Sequence, residues 1–122
     1  MSEFWGKELI VDCAACEINR ITDGDNIRAF IKFLVDKIDM EAHGEPLIEH
    51  FATHDSEKAG YSFCQMITTS AITAHFVDKN GDCYINVFSC KEFNPDDVVE
   101  VISKFFNPAR INIQVVIRSS PV

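Results

Sequence analysis

The sequence predicts an α+β fold, a two-layer sandwich in which an antiparallel sheet carries two helices on one face. Short apolar runs separated by turn residues fill the middle of the chain, two amphipathic stretches have helical spacing, and an apolar strand lies near each end. A chain of 122 residues buries roughly 65 to 70% of its unfolded surface. That is enough for one core, so residues 1–122 are expected to form a single domain.

Six strands are predicted from apolar runs bounded by turn residues. The segment Asp78-Lys79-Asn80-Gly81 marks a hairpin, because Asn-Gly is the strongest short turn signal. The polar residues 54–60 are interpreted as a loop, and two apolar runs flank Ser70. The predicted strands cover residues 6–13, 47–51, 61–68, 71–77, 82–90 and 111–118.

The two helices are predicted from apolar side chains that recur every three or four residues. The first covers about residues 25–39, after the turn and cap residues Asp23-Gly24-Asp25. The second begins at Asn94-Pro95, since Asn is a good cap and Pro fits the first helical position. The predicted buried stripes are Ile27, Phe30, Ile31, Leu34 and Ile38 in the first helix and Val98, Val99, Ile102, Phe105 and Phe106 in the second.

Helices on one face leave the other face of the sheet uncovered. A sheet of this kind usually packs one face on the core, and the second face then meets solvent or another layer. We expect a second copy of the chain to cover it, which predicts a homodimer.

Charge and hydropathy exclude two classes of partner. The formal net charge is -8 and the pI is near 4.8, whereas nucleic-acid binding needs clustered Lys and Arg. No stretch approaches the roughly 18 consecutive apolar residues that cross a membrane. The N-terminus lacks a basic segment followed by an apolar one, so no signal peptide is predicted and a cytoplasmic location is expected.

Five cysteines are an odd number for a disulfide framework in a reducing compartment. Cys13-Ala14-Ala15-Cys16 is interpreted as the buried end of a strand. A zinc site would need a second pair of ligands at comparable spacing, and the sequence offers none, so no metal is predicted. A thioredoxin-like motif would open a helix, whereas Cys13 continues an apolar strand.

The most informative motif is Thr68-Thr69-Ser70, followed by His75 and Cys90. It places a hydroxyl, an imidazole and a thiol along two neighbouring predicted strands. Its context, from Gly60-Tyr61-Ser62 to the run that ends at Cys90, resembles the small prokaryotic S-adenosylmethionine decarboxylase family. The opening run Gly6-Lys7-Glu8-Leu9-Ile10-Val11-Asp12 is also similar to the first strand of that family, so the resemblance extends from Gly6 to about Arg118.

The resemblance implies a role for each matching residue. Thr69-Ser70 would be the bond at which the chain cleaves itself, and Ser70 would become a pyruvoyl group. Ser62 would hold the oxyanion or ester, and His75 would remove the α-proton of Ser70. Cys90 would return a proton to the decarboxylated carbon.

The function implied is a carboxy-lyase that decarboxylates the small molecule S-adenosylmethionine in spermidine and polyamine biosynthesis. Its cofactor would be the pyruvoyl group derived from Ser70. Pyridoxal phosphate, the other common electron sink for this chemistry, needs a phosphate cradle, and the chain has no Gly-rich phosphate loop.

Four departures from the family pattern keep alternatives open. Thr69 replaces the usual Glu, and Ala71 replaces a usual His. Lys79 occupies the position of the acid that holds the substrate ribose, and Val77-Asp78 replaces Trp-Pro. A shift of one residue would make Asp78 the substrate-binding acid. The alternatives are a decarboxylase for another amino acid such as arginine or ornithine, and a non-processing homologue that binds a ligand or acts as a regulatory partner.

The spacing of Ser70 and His75 adds a geometric expectation. Their numbers differ by five, so a regular strand sends the two side chains to opposite faces of the sheet. A bulge or an irregular start near Ala71 is therefore expected. Each residue also has a purely structural interpretation: His75 as a hydrogen-bonded histidine at a strand end, and Cys90 as a small buried residue.

Overall fold

The computed structural model describes residues 4–121. It has the predicted α+β architecture, with six strands and three helices in these residues. The six predicted strands are confirmed within one or two residues at each end. The shortest helix, α1, was not predicted, because four residues are too few to show helical spacing. The elements are β1 (Gly6–Ala14), α1 (Ile18–Ile21), α2 (Gly24–Lys37), β2 (Leu47–Phe51), β3 (Gly60–Ile67), β4 (Ser70–Phe76), β5 (Cys83–Ser89), α3 (Pro95–Phe106) and β6 (Arg110–Arg118).

All six strands form one antiparallel sheet in the order β2-β3-β4-β5-β1-β6. The three central strands β3, β4 and β5 follow one another through short hairpins. The second of these hairpins is the predicted one: Val77 N–H donates to the carbonyl of Asp82 at 2.8 Å, and Gly81 has a φ of +80°. Such a φ costs glycine nothing, which explains the Asn-Gly pair at this turn.

Helix α2 begins at its predicted cap. The Asp23 carboxylate accepts hydrogen bonds from the backbone N–H groups of Asp25 and Asn26, which satisfies two donors that the first helical turn leaves free. The chain leaves the helix through Asp39, which has a φ of +57°. The five apolar residues predicted to face the core are all buried: Ile27, Phe30, Ile31, Leu34 and Ile38.

Helix α3 also begins as predicted, with the Asn94 side chain accepting from Asp96 N–H and Pro95 in the first turn. The predicted stripe needs a correction, because Val101 is fully buried, whereas Val99 and Phe105 are only half-buried. The rings of Phe30 and Phe106 lie 4.6 Å apart. This aromatic contact joins α2 to α3 above the sheet.

The two long helices cover one face of the sheet. Side chains alternate along β4, so that Ile72, Ala74 and Phe76 are buried beneath the helices while Thr73 is exposed. On the opposite face, Met66 and Tyr84 are 57% and 48% exposed. This open face is the surface for which a second copy was predicted. Among the described residues, no helix has both the length and the apolar character that a membrane crossing requires.

Candidate active site

The turn between β3 and β4 contains the predicted cleavage bond. Ile67 pairs with Ser70, so only Thr68 and Thr69 lie between the strands. The segment before β2 holds the turn from outside, since Thr68 N–H donates to the carbonyl of Glu41 at 2.9 Å. The predicted scissile bond therefore lies at the junction of a tight, anchored turn and a strand.

The carbonyl of Thr69 accepts a hydrogen bond from the backbone N–H of Cys90, at 3.2 Å. The Thr69 hydroxyl also bonds the hydroxyl of Ser89, at 2.8 Å, and Ser89 is buried. Two contacts to the end of β5 therefore fix the orientation of the Thr69 carbonyl. An N–H aimed at a carbonyl oxygen is the donor that an attack on that carbonyl needs.

Cys90 follows β5 directly and is exposed. This exposure does not fit the alternative, structural interpretation of Cys90 as a small buried residue. The start of β1 packs against it: a Cβ added to Gly6 would lie 2.6 Å from the Ser89 carbonyl oxygen and 3.0 Å from the Cys90 Cα. Glycine is required here by close backbone approach. The resulting site has an accessible thiol beside the Thr69-Ser70 bond.

An aromatic cavity lies beside the start of β1. It has a volume of about 490 Å³ and is lined by residues of both chain ends and by Phe88 of β5. The rings of Trp5 and Phe88 lie 5.8 Å apart, and the guanidinium of Arg118 lies 5.2 Å from the Phe88 ring. Cys90 follows Phe88 by two residues in the sequence and is not among the residues that line this cavity.

Ser62 and His75 form a hydrogen-bonded pair on the open face. They lie opposite each other on β3 and β4, and Ser62 Oγ is 2.6 Å from His75 Nδ1. His75 Nε2 is 2.8 Å from the carbonyl oxygen of Lys58. A carbonyl can only accept, so Nε2 carries the proton. In the neutral ring, Nδ1 is then free to accept the proton of Ser62.

Ser70 and His75 are not brought together within one chain. Strand β4 pairs without interruption with β3 and with β5, so the bulge predicted near Ala71 is absent and that prediction is wrong. Five residues of regular strand separate the two Cα atoms by about 16 Å. Ser70 pairs with Ile67 and Ser89, both buried under the helices, whereas His75 lies on the open face.

Asp78, the candidate substrate-binding acid, lies just beyond the His75 end of β4. Its Oδ2 is 2.6 Å from His50 Nε2. Its Oδ1 is buried and has no hydrogen-bond partner in the described part of the chain. Both Asp78 and His50 line an open cavity of about 550 Å³. Lys79 turns to Glu57, with which it forms an ion pair.

The family model for S-adenosylmethionine decarboxylase matches residues 7–119. The chain belongs to the S-adenosylmethionine decarboxylase family. Among solved structures, the adenosylmethionine decarboxylase from Aquifex aeolicus VF5 is similar over 99% of this chain and 96% of that chain, with a TM-score of 0.81 and 18% identity. This likeness shows that the fold is shared. No curated protein matches the chain in sequence.

Two features of this S-adenosylmethionine decarboxylase family member escaped the sequence analysis. The aromatic cavity combines Trp5 with Phe88 through pairing of β1 with β5, which local sequence does not reveal. The buried thiol of Cys83 lies beside those of Cys13 and Cys16, although it is far from them in the sequence. Cys16 also lies beyond the end of β1, so the interpretation of both cysteines as strand residues is correct only for Cys13.

The three thiols influence one another. Hydrogen bonds from Cys13 and Cys83 lower the pKa of Cys16 to about 4. The hydrogen bond to Cys16 and burial raise the pKa of Cys13 to about 12. Hydrogen bonding to both neighbours, together with burial, raises the pKa of Cys83. Within this cluster, the neighbouring thiols favour ionisation of Cys16 over ionisation of Cys13 or Cys83.

Proposed function

We propose that this family member is a pyruvoyl-dependent decarboxylase of S-adenosylmethionine that cleaves itself between Thr69 and Ser70. The observation that carries the proposal is the hydrogen bond from Cys90 N–H to the Thr69 carbonyl. Attack on this carbonyl places a negative charge on its oxygen, and a fixed N–H stabilises that charge without having to reorganise. The product would serve spermidine biosynthesis.

The cleavage needs only groups of the protein and water. The Ser70 oxygen bonds to the Thr69 carbonyl carbon, the amide C–N bond breaks, and the hydroxyl proton passes to the nitrogen. A base then removes the α-proton of Ser70, and Thr69 leaves as a carboxylate. Isomerisation of residue 70 to an imine, addition of water and loss of ammonia leave a ketone at the new N-terminus.

His75 suits the role of base, because its Nδ1 is an acceptor, which in this structure is hydrogen-bonded to Ser62. It is, however, about 16 Å along the strand from Ser70 of the same chain, and it lies on the other face. We therefore propose a homodimer in which the open faces meet around a two-fold axis near the middle of β4. Such an axis brings His75 of one protomer to the Ser70 end of β4 in its partner and generates two equal sites.

The residues around the Thr69-Ser70 bond fit a pyruvoyl group, because its serine precursor and a donor for the scissile carbonyl are both present. The ketone of that group takes the amine of the substrate and acts as the electron sink for decarboxylation. The exposed Cys90 thiol holds a proton for the product carbon. The Trp5 and Phe88 rings suit a flat adenine base and a cationic sulfonium.

Intact mass under denaturing conditions tests the proposal directly. Cleavage after Thr69 divides the 122 residues into chains of 69 and 53 residues, and a carbonyl-reactive hydrazine should label only the smaller one. Ser70→Ala should remain one unlabelled chain. Ser103→Ala, which changes an exposed serine of α3, should process normally. A wild-type chain that stays intact after prolonged incubation would refute self-cleavage.

One observation favours a second candidate, a family member that binds a small ligand without processing. Ser70 pairs with residues buried under the helices, so its side chain lies on the face opposite His75. If the wild-type chain stays intact, titration with S-adenosylmethionine and with polyamines should then show saturable binding. If it processes, release of carbon dioxide from S-adenosylmethionine, arginine and ornithine identifies the substrate, and we expect S-adenosylmethionine to be preferred.

A further inference from the structure

Three buried cysteines meet where the end of β1 pairs with the start of β5. Cys13 and Cys83 face each other across the two strands, and Cys16 lies just beyond β1. The three sulfur atoms lie within 4.8 Å of one another, and the Cys16 and Cys83 sulfurs are 3.9 Å apart. The proposed decarboxylation uses none of these thiols.

The sulfur spacing suits a thiolate-bound metal ion. Zinc binds cysteine sulfur at about 2.3 Å with tetrahedral angles, which places neighbouring sulfur atoms about 3.8 Å apart. The Cys16–Cys83 separation of 3.9 Å already matches this value. The remaining separations, up to 4.8 Å, need only a small rotation of Cys13. Soft thiolates select zinc over harder divalent ions.

The backbone holds Cys16 in this position. Cys16 N–H donates to the Gly81 carbonyl at 2.8 Å, and Ala15 N–H donates to Asp82 Oδ1 at 3.2 Å. A Cβ on Gly81 would lie 2.4 Å from the Cys16 carbonyl oxygen, so the hairpin after β4 packs tightly against this segment. The preceding Ala15 adopts a φ of +53°, which turns the chain back over the sheet. Geometry of this kind fixes ligands before a metal arrives.

We propose that Cys13, Cys16 and Cys83 form a zinc site that joins the end of β1 to the start of β5. A cavity of about 200 Å³ reaches Cys13 and is lined by Asp12, Asp82 and Arg110 among others. The three sulfur atoms leave the fourth position of a tetrahedral ion to a water molecule.

The site is tested on the full chain after reduction and treatment with a chelator. We expect one Zn²⁺ per chain in a competition titration, and Co²⁺ should give the intense thiolate-to-metal absorption of a sulfur-rich site. Cys16→Ser and Cys83→Ser should each weaken zinc binding by about 100-fold or more, since a lost ligand costs at least as much as a lost supporting contact. Cys64→Ser, at a half-buried cysteine outside the cluster, should bind as the wild type does.

X-ray absorption of the wild-type zinc protein gives a result that does not depend on the folding of a variant. Three sulfur neighbours at about 2.3 Å support the site. Fewer than three sulfur neighbours, or no stoichiometric binding, would overturn it. Undiminished zinc binding by a folded Cys83→Ser protein would also overturn it. The Ser70→Ala protein is expected not to process, and its zinc binding can still be measured. Failure of the zinc site and failure of self-processing are therefore separate results.

Discussion

The two ends of β4 hold complementary halves of the proposed chemistry. At the Ser70 end, the backbone presents the bond to be cleaved, a donor for its carbonyl from Cys90, and an exposed thiol. At the other end, Ser62 and His75 form a hydrogen-bonded pair whose ring nitrogen can accept a proton. The first end has a reactive bond without a base, and the second has a base without a bond. One regular strand keeps them apart within one chain, and the proposed dimer would unite them.

Mixing two inactive variants gives the largest expected effect. Ser70→Ala and His75→Ala should each fail to yield a pyruvoyl chain when expressed alone. In mixed dimers, the His75→Ala chain retains Ser70 and meets an intact His75 from its partner, so this chain should be cleaved and labelled by hydrazine. Mass spectrometry distinguishes the two chains.

The control for this mixture is a double variant that carries both substitutions on one chain, mixed with wild type. The double-variant chain should never be cleaved, because it lacks Ser70. Failure of the two single variants to complement each other, with mixed dimers verified by native mass spectrometry, would contradict the shared site.

Loss of the base should arrest the second step of processing. General bases contribute about 10²- to 10⁴-fold to a rate, so His75→Ala should accumulate the ester formed by Ser70. Hydroxylamine cleaves esters and should split this variant after Thr69. Ser62→Ala removes a neutral hydroxyl and should slow processing less than His75→Ala does. An equal effect of both changes would indicate that the pair acts as one unit.

At the Ser70 end of β4, the Cys90 N–H can be displaced by a substitution at Gly6, which packs against it. Gly6→Ala places a methyl group against the Ser89 carbonyl and the Cys90 backbone, which should move the Cys90 N–H away from Thr69. We expect processing to slow by about 10- to 100-fold, somewhat less than complete loss of an oxyanion donor costs. Mass spectrometry after timed incubation gives the rate, and the melting temperature establishes that the variant is folded.

Gly24→Ala is the matched control for this change. Its new methyl group would meet the end of the Tyr61 side chain at 3.3 Å, and that side chain is able to move. Processing at the wild-type rate is expected for this control. If Gly6→Ala processes equally fast, the Cys90 N–H has no role.

The sequence predicted the sheet and its helices well because their signals are local. The cap residues Asp23 and Asn94 and the alternation along β4 depend only on neighbouring positions. The buried stripe of α3 was predicted less accurately. Val99 and Val101 lie on either side of the apolar face, and only packing on the sheet decides which of them is buried.

The sequence proposed the residues of the candidate site, and it did not predict how the structure arranges them. A resemblance supplied Ser62, Ser70, His75 and Cys90, and the structure pairs Ser62 with His75. The bulge near Ala71 was expected on the assumption that one chain contains the whole site. The continuous pairing of β4 shows that there is no bulge, so Ser70 and His75 of one chain stay apart. The cluster around Cys83 could not be predicted, because register between β1 and β5 depends on contacts distant in sequence.

The smallest predicted effect concerns substrate affinity. If the buried Oδ1 of Asp78 accepts hydrogen bonds from substrate hydroxyls, Asp78→Asn replaces charged hydrogen bonds by neutral ones and costs about 1 kcal/mol. This should raise KM about fivefold and leave kcat unchanged. Stability should change little, because the exposed pair with His50 contributes about 0 to 1 kcal/mol. Lys79→Ala should leave KM unchanged.

Adding Asp78→Asn to one chain of the mixed dimer tests at which end of β4 Asp78 contributes to the substrate site. The processed site there combines Ser70 of the His75→Ala chain with His75 of the Ser70→Ala chain. Asp78 lies at the His75 end, so Asp78→Asn should raise KM only when the Ser70→Ala chain carries it. A rise in KM only when the His75→Ala chain carries it would place Asp78 beside the Ser70 of its own chain. That result would contradict the two-fold arrangement, because the substrate would then have to extend along β4 from Ser70 to Asp78 of the same chain.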